Sequence, residues 1–464
     1  MNTIINFYRY GSRVLRLPAL ILLLCSTVAC DSFTEVDLPS SQLAAPAVYE
    51  SNATATAALM DIYAKIRDRG LLTGYATGVS QQLGLYSDEL VMYGGDPSFY
   101  NNTVLPSSYE ISELWNSSYN QVYAANAVIG GVSSSSSLSA SEKGLLRGEA
   151  LFIRALVHFY LANTFGDVPY VTSADFNSNR QVQKSNQDQL YDHLKSDLTE
   201  AISLLPENYI SPLRIRPNKA AAQALLARVC LYSGDWPQAA DLASAVLNRD
   251  DLYQLTAIED TFLKEAASTI WQLAPEKAGD NTLEAATFSF TFGPPPLAAL
   301  SQELYDAFPE GDLRKTYWVT EVAQDSNIWY HASKYDAVGN SGNSLEHSIV
   351  MRISEMYLIR AEARAQQGEL IGAVEDLNSI RNNAGLAAIT PPTAETILNA
   401  ILLERRLELF TEYGHRFFDL KRRGKLDETL SLVKPGWQAT DRNLPLPESE
   451  LMLNENLLPQ NDGY

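Results

Sequence analysis

Two aromatic-rich segments contain the residues of this chain that could bind a ligand. In residues 74–106, tyrosine and phenylalanine alternate with glycine, proline, aspartate and asparagine, which is a composition of loops. The C–H face of a sugar ring packs against a flat aromatic ring, and its hydroxyls bond to carboxylates and amides. Any one such ring is more often part of a core, so the prediction concerns the group. It comprises Tyr75, Asp88, Tyr93, Asp96, Phe99, Tyr100, Phe290, Phe292, Trp318 and Trp329.

Catalysis has weaker support in the sequence. Glu404 and Glu408 are four residues apart, so they share a helix face and could be paired acids of glycoside cleavage. Arg405 and Arg406 are interleaved with them, however, and alternating charges of this kind favour an ion-pair network that pins the helix to its neighbours. The sequence contains no nucleophile elbow, phosphate loop or dinucleotide fingerprint. We therefore predict no catalytic residue and no cofactor.

The histidines do not indicate a metal site. The five of them are scattered without the close spacings of a zinc site, so no metal ligand is predicted. We interpret His158 as a packed or hydrogen-bonded residue of a helix. The excess of acidic over basic residues, 55 against 35, argues against nucleic acid as a partner, because phosphate binding requires basic residues.

The elements that must position these residues are predicted to be helices. Apolar residues recur at three-and-four spacing, and a spacing pattern typical of tetratricopeptide helix hairpins occurs twice. We predict an all-α fold of tetratricopeptide-like repeats, interrupted at residues 251–346 by a loop-rich, aromatic-rich insertion of the kind that often carries function. The repeated pattern is Gly234, Ala239, Ala243 and Val246, then Gly368, Ala373, Leu377 and Ile380. The predicted helices are 53–67, 112–130, 142–164, 185–205, 217–233, 351–367, 369–383 and 394–414.

The N-terminal residues predict export and lipidation. Arg9, Arg13 and Arg16 precede an apolar run that is too short to span a bilayer comfortably and that ends at Cys30. Because small residues lead directly into this cysteine, we predict a lipoprotein signal over residues 1–29, lipidation of Cys30 and a tether over residues 30–47. An ordinary signal peptide is the alternative. Cys230 is predicted to be core and to form no disulfide.

Several strings resemble the SusD/RagB family, the outer-membrane lipoproteins of Bacteroidetes that partner TonB-dependent transporters. FGDVPY at residues 165–170 matches a family bend, and the C-terminal region has the family's signature elements in order. That signature is RISEMYLIRAEARAQQG at residues 352–368, AVEDLNSIRNNAG at 373–385 and ILLERRLELFTEYGHRFFDLKRRGK at 401–425.

The resemblance implies a SusD-like domain over residues 48–464, with an N-terminal helical part at 48–250, the insertion at 251–346 and the signature region at 347–464. It also implies a lipid-anchored outer-membrane protein, facing the cell exterior, that captures an oligosaccharide or polysaccharide and delivers it to a SusC-like TonB-dependent transporter. The alternative is a peptide-capturing or protein-interaction lipoprotein of the RagB type, and a hydrolase is a third possibility.

Overall fold

Helices dominate the first half of the chain in this computed structural model, which describes residues 45–464. The predicted export signal, Cys30 and the tether up to residue 44 lie outside the described residues. Between residues 45 and 464, no helix is long and apolar enough to cross a membrane. The helices of this half are α1 (Ala45–Val48), α2 (Asn52–Asp68), α3 (Val79–Tyr86), α4 (Tyr109–Ser134), α5 (Ala140–Phe165), α6 (Phe176–Asn179), α7 (Gln187–Leu204), α8 (Lys219–Tyr232) and α9 (Trp236–Leu247).

Short strands accompany the helices, and most of them lie in the predicted insertion. The helices of the second half are α10 (Leu283–Phe288), α11 (Gln302–Ala307), α12 (Leu313–Trp318), α13 (Ile353–Gln366), α14 (Leu370–Asn383), α15 (Ala394–Leu409), α16 (His415–Arg422), α17 (Leu426–Leu430) and α18 (Glu448–Leu453). The strands are β1 (Leu90–Met92), β2 (Thr269–Leu273), β3 (Ala298–Leu300), β4 (Val319–Gln324), β5 (Asn327–Ala332) and β6 (Ser348–Arg352), paired antiparallel as β1 with β3, β2 with β6 and β4 with β5.

The two predicted hairpin repeats are confirmed. α8 and α9 form one hairpin and α13 and α14 form the other, and each turn contains a glycine with positive φ, +74° at Gly234 and +82° at Gly368. Glycine adopts this conformation without the steric cost of a Cβ. The remaining residues of the pattern are buried in the hairpin interfaces, as expected of small and apolar side chains that let two helices approach: Ala239, Ala243, Val246, Ala373, Leu377 and Ile380.

The helices pack in an order that produces one continuous layer of repeats. α5 packs against α4 and α7, α8 against α7 and α9, and α13 against α9, α14 and α15. The buried interior contains Trp271 and also Cys230, which is a buried free thiol as the sequence predicts. This layer is the rigid support from which the shorter elements of residues 74–106 and 251–346 extend.

The predicted helix over residues 394–414 is too long by five residues, because α15 ends at Leu409. Thr411 and Tyr413 have positive φ values, which end the helix. Lys334 stabilises this end by donating hydrogen bonds from its Nζ to the backbone oxygens of Glu408 and Phe410, each at 2.8 Å. Terminal helix carbonyls have no partner inside the helix, so a buried lysine can satisfy them.

The start of the predicted helix over residues 351–367 is also corrected. The sequence places residues 351 and 352 in a helix, whereas the structure places them in β6, which pairs with β2 in the register Thr269↔Arg352 and Trp271↔Met351. Both strands are buried along their whole length, so they lack the alternation of apolar and polar residues that would indicate a strand in the sequence. α13 begins directly after this strand, at Ile353.

The FGDVPY bend is held by His158, which the structure confirms as a hydrogen-bonded helix residue. Its Nδ1 lies 2.8 Å from the backbone oxygen of Arg154, and its Nε2 lies 3.1 Å from the backbone nitrogen of Val171. Because the backbone N–H of Val171 can only donate, Nε2 accepts and the proton of the neutral ring is on Nδ1. Tyr170 stacks on this ring and donates to Asp197 on α7 at 2.6 Å.

We expect His158 to make the fold sensitive to acid. Burial, the main cause, lowers the pKa of His158 to about 3, whereas an unfolded histidine has a pKa near 6.5. Its stabilising contribution is therefore present above pH 6.5 and is lost as the pH falls from 6.5 toward 3. Between pH 7 and 5, the native protein should lose about 2 kcal/mol more unfolding free energy than His158→Gln. Urea unfolding of both proteins at both pH values measures this, and parallel losses would contradict it.

Candidate functional site

Three segments that each carry an aromatic side chain meet at the surface of the molecule, near residues of the predicted insertion. Tyr93 follows β1, Phe292 precedes β3 and Trp329 lies in β5. The rings of Tyr93 and Trp329 meet edge to face with centroids 6.4 Å apart. Tyr93 is 45% exposed and Phe292 is 67% exposed, whereas Trp329 is half-buried. We call Tyr93, Phe292 and Trp329 the ring cluster.

The β1–β3 pair brings the first two segments together. Leu90 pairs with Leu300 and Met92 with Ala298, so the chain leaves β1 at Tyr93 beside the residues that lead into β3. The backbone nitrogens of Tyr93 and Gly94 both donate to the backbone oxygen of Leu297, at 2.8 and 3.0 Å. These bonds hold the backbone that carries Tyr93.

The β4–β5 hairpin supplies Trp329 and polar neighbours. Trp329 lies directly opposite Val322, and Asn327 lies opposite Gln324. Opposed residues of an antiparallel pair, and residues two apart on one strand, share a face of the sheet. Gln324 and Asn327 are both exposed, so two amide side chains lie on the face that carries the indole. The side-chain oxygen of Gln324 also accepts a 3.0 Å hydrogen bond from the backbone nitrogen of Gly293.

Glycine at position 293 permits the indole to lie against the backbone. A Cβ added at Gly293 would overlap the six-membered ring of Trp329, so any larger residue here must displace that ring. Gly94 has a similar role, since a Cβ there would overlap the backbone oxygen of Pro296. These two close approaches keep the segments that carry Tyr93 and Phe292 packed against the hairpin.

Asp96 provides a charged group in the same loop as Tyr93. It is exposed, and its carboxylate accepts a 2.8 Å hydrogen bond from the backbone nitrogen of Ser98. Hydrogen bonds from Ser98 lower the pKa of Asp96, which keeps the carboxylate charged at neutral pH. The arrangement thus combines apolar ring surfaces with amide and carboxylate groups, and it could stack against a flat apolar face while hydrogen-bonding hydroxyls at its edge.

Three of the ten predicted site residues are corrected because their rings are buried. Phe99 is 1% exposed and packs edge to face on Tyr86, and Phe290 is 7% exposed beside His331. Trp318 is 2% exposed, and its indole nitrogen donates to the backbone oxygen of Ile258 at 2.9 Å. A ring enclosed by protein atoms has no face left for a ligand, so these three belong to the core.

Asp88 is corrected for a different reason. The guanidinium of Arg416 donates to both carboxylate oxygens, at 2.8 and 2.7 Å, and Arg406 lies 3.0 Å away. Burial alone would raise the pKa of Asp88, but the hydrogen bonds and charges of these arginines hold it below its ordinary value. The side chain joins residues 88 and 416, which are far apart in sequence, and it is buried, so its role is structural.

The last two predicted residues lie outside the ring cluster. Tyr100 is half-buried, and the ammonium of Lys434 covers one face of its ring, 3.7 Å from the centroid. Tyr75 is 49% exposed, but it lines a separate cavity near α10. The structure therefore brings together Tyr93, Phe292 and Trp329, with Asp96 in the adjoining loop.

The charged residues of α15 form ion pairs, as predicted. Glu408 pairs with Arg352 and with Arg314, which lies 3.1 Å from it, and all three are buried. Glu404, the other candidate acid, lies 2.7 Å from the same Arg314. Because both carboxylates are enclosed and paired, they are structural. In the described part of the chain, no group of three or more histidines, cysteines or acidic residues is arranged to hold a metal ion.

Sequence reasoning missed the two amides and the glycine that completes the ring cluster. In the segment VTEVAQDSNIWYHA, residues common in strands flank Asp325-Ser326 on both sides. A two-residue connection of this kind is typical of a β-hairpin. That signal would have placed Gln324, Asn327 and Trp329 on one face. Nothing local in the sequence marks Gly293 as the residue beneath Trp329.

The stacked helix hairpins define a helical-repeat protein, and the exposed rings are its candidate ligand-binding surface. Residues 90–231 match a family described as starch-binding and associating with the outer membrane, and residues 314–464 match the SusD family. The chain belongs to the SusD/RagB family.

The similarity to individual relatives extends over almost the whole chain. The chain is 27% identical to SusD-like protein P2 of Formosa agariphila, over 96% of this chain and 98% of that protein. A SusD superfamily structure from Bacteroides vulgatus has a TM-score of 0.79 at 22% identity, and covers 90% of this chain and 100% of its own. A laminarin-binding SusD-like protein has a TM-score of 0.73 at 26% identity, with 89% and 99% covered.

Proposed function

We propose that this protein is a cell-surface lipoprotein of the outer membrane that binds an oligosaccharide or polysaccharide at the ring cluster and passes it to a SusC-like TonB-dependent transporter. The observation that carries this proposal is that the segments of Tyr93, Phe292 and Trp329 meet, while the side chains of Tyr93 and Phe292 remain strongly exposed. Single exposed apolar side chains are ordinary, whereas several of them on adjoining segments are typical of a binding surface.

The neighbouring polar groups favour a carbohydrate over a purely apolar ligand. Gln324 and Asn327 offer amide donors and acceptors on the face that carries Trp329, and Asp96 offers a charged acceptor. A sugar ring needs an apolar surface and such edge groups together. Membership of a family with a laminarin-binding relative supports the same ligand class.

The proposal is binding without catalysis. The paired acids that the sequence offers for glycoside cleavage, Glu404 and Glu408, are enclosed in ion pairs and cannot reach a substrate. A reducing-sugar assay should therefore show no release of product from a bound glycan.

Isothermal titration against soluble glycans, including a β-glucan and a starch, together with unrelated peptides, tests the ligand class. We expect saturable binding of at least one glycan and none of the peptides. Binding of peptides alone would support the RagB-type alternative, and hydrolysis of a glycan would overturn the proposal. Co-purification with a SusC-like transporter, from outer membranes of the source bacterium, tests delivery. Loss of membrane attachment in Cys30→Ala tests lipidation.

A further inference from the structure

A polar cavity separate from the ring cluster lies beside the FGDVPY bend. Its volume is about 420 Å³, which is within the range of small-molecule sites. Its lining comes from the end of α5, the start of α7, the end of α16 and residues 442 and 443, among others. We call this space, which Gly166, Lys421, Arg442 and Asn443 help to line, the bend cavity.

Lys421 places a cation in the wall of the bend cavity without an acidic partner. Its Nζ donates to the backbone oxygen of Asn163 and to the side-chain oxygen of Asn443, both at 2.6 Å. Both acceptors are neutral, and Lys421 forms no ion pair with any residue between positions 45 and 464. Burial, the main cause, and repulsion from Arg442 lower the pKa of Lys421 to about 7, so the charge of its ammonium is poorly compensated.

Asn443 has a free donor because of the same contact. A lysine ammonium can only donate, so the side-chain oxygen of Asn443 faces Lys421 and its Nδ2 is left for another partner. This Nδ2 donates to no residue in the described part of the chain, and the side chain is half-buried. A Cβ added at Gly166 would lie 2.8 Å from Nδ2, so the glycine of the bend leaves room for the amide.

Arg442 provides the second cation and further free donors. Its Nε donates to the backbone oxygen of Ala439 at 2.9 Å, and 58% of its side chain is exposed. A carboxylate oxygen of Asp427 lies 3.8 Å from Nη2, which is too far for a hydrogen bond. Asp427 instead accepts from the indole nitrogen of Trp437, at 2.9 Å. The Nη groups of Arg442 are therefore available to a ligand.

The other charged residues of the lining do not neutralise Lys421. Arg422 already donates to both oxygens of Glu362, at 2.6 and 2.7 Å. Asp167 is exposed, and it forms no ion pair with Lys421 or Arg442. Two cations that repel each other, together with the free donors of an amide and a guanidinium, form a site that favours an anion.

We infer that the bend cavity is a subsite for the carboxylate or sulfate group of an acidic sugar, with Arg442 and Asn443 as donors and Lys421 as the neighbouring positive charge. The inference rests on the proposed function, and it adds that the glycan carries acidic groups. The cavity is larger than such a group requires, and polar side chains, including Gln187 and Tyr191, line the rest of it. A sugar ring with its hydroxyls therefore fits this space better than a small inorganic ion does.

Isothermal titration at pH 6 tests the subsite with a sulfated oligosaccharide, an oligogalacturonide, a neutral β-glucan and sodium sulfate. We expect at least one acidic oligosaccharide to bind. Arg442→Gln should weaken its binding about 10-fold, because hydrogen bonds to a charged group are lost. Asn443→Asp should weaken it at least as much, since the new carboxylate still accepts from Lys421 but repels the ligand. Neither variant should change binding of the neutral β-glucan. Arg180→Gln is the matched control, because Arg180 is an exposed arginine outside both sites.

Proton uptake separates ligand binding at Lys421 from a purely structural role. A bound anion stabilises the charged ammonium, so binding should raise the pKa of Lys421 and take up protons near pH 7.5. Affinity for the acidic oligosaccharide should accordingly fall as the pH rises above 7. Titration in two buffers of different ionisation enthalpy measures the uptake, and Lys421→Met should abolish it. The other charged or titratable side chains that line the cavity are Asp167, Tyr191, Tyr232, Arg422, Asp427 and Arg442.

The outcomes separate the subsite from the proposed function. If the native protein binds no glycan, neutral or acidic, the proposed function fails and the inference fails with it. If only neutral glycans bind, or if Arg442→Gln and Asn443→Asp bind the acidic oligosaccharide as Arg180→Gln does, the subsite is refuted and the ring cluster stands. Sulfate that binds as tightly as the sulfated oligosaccharide would contradict a sugar subsite, because the ring would then add nothing.

Discussion

Arg352→Met should lower the unfolding free energy by about 3–5 kcal/mol, because it leaves two buried carboxylates without their main partner. The guanidinium of Arg352 donates to Glu412 through Nε and Nη2, both at 2.9 Å, and to Glu408 through Nη1. All three side chains are buried. Methionine keeps an apolar stem that reaches the position of Nε, so the main losses are the charge and the hydrogen bonds of the guanidinium. Chemical denaturation at pH 7 measures it.

The exposed pair Lys65–Asp61 is the control for this prediction. Its atoms are 2.7 Å apart, as close as a buried pair, but the side chains are 41% and 59% exposed. Lys65→Met should therefore cost less than about 1 kcal/mol, because water stabilises the freed carboxylate. If both variants lose the same small amount, the buried network is not what holds α15 to β6.

A second substitution identifies the cause. Burial would raise the pKa of Glu408, but Arg352 and Arg314 lower it to about 2. The contribution of Glu408 is therefore present above the unfolded pKa near 4.5 and is lost as the pH falls toward 2. Glu408→Gln in the Arg352→Met background should recover part of the lost stability, since it removes the uncompensated charge. Additive losses would mean that the two residues do not interact.

The helical frame could be predicted because its signals are local. In each hairpin, a turn glycine is followed five and nine positions later by apolar residues of the helix interface. This pattern needs only contacts between neighbouring helices, so Gly234 and Gly368 mark their hairpins correctly. The structural role of the charged residues of α15 could likewise be predicted, since alternating charges at short spacing indicate ion pairs. The end of α15 could not be predicted, because Lys334, which donates to its last carbonyls, comes from another part of the chain.

Site residues were harder because exposure depends on distant parts of the chain. Trp318 and Trp329 are 11 positions apart in segments of similar composition, yet Ile258, Phe262 and Phe410 enclose only Trp318. Composition identified the two aromatic-rich segments, and the contacts of the folded chain decide that the indole of Trp329, and not that of Trp318, is partly exposed.

Trp329→Ala should weaken binding of the glycan about 10- to 100-fold, with a change in melting temperature of only a few degrees. Removing a half-buried indole that stacks on a ligand costs about 1–3 kcal/mol of binding free energy, and 1.4 kcal/mol corresponds to a factor of ten. Tyr93→Ala should have a smaller effect in the same direction. The ring of Tyr93 packs edge to face with Trp329, so less of its surface can contact a ligand.

Gly293→Ala tests whether the position of the indole, and not only its presence, determines affinity. The added methyl group overlaps the Trp329 ring, so the indole must turn away from its present site while every other residue of the ring cluster is kept. We expect affinity to fall toward that of Trp329→Ala, and titration of the same glycan measures it. Gly130→Ala controls for the methyl group, because Gly130 is an exposed helical glycine where an added methyl group meets no atom within 4 Å. Tyr109→Ala, an exposed tyrosine outside the cluster, should bind as the native protein does. If Trp329→Ala and Gly293→Ala bind the glycan as tightly as Tyr109→Ala, the ligand does not lie on the ring cluster.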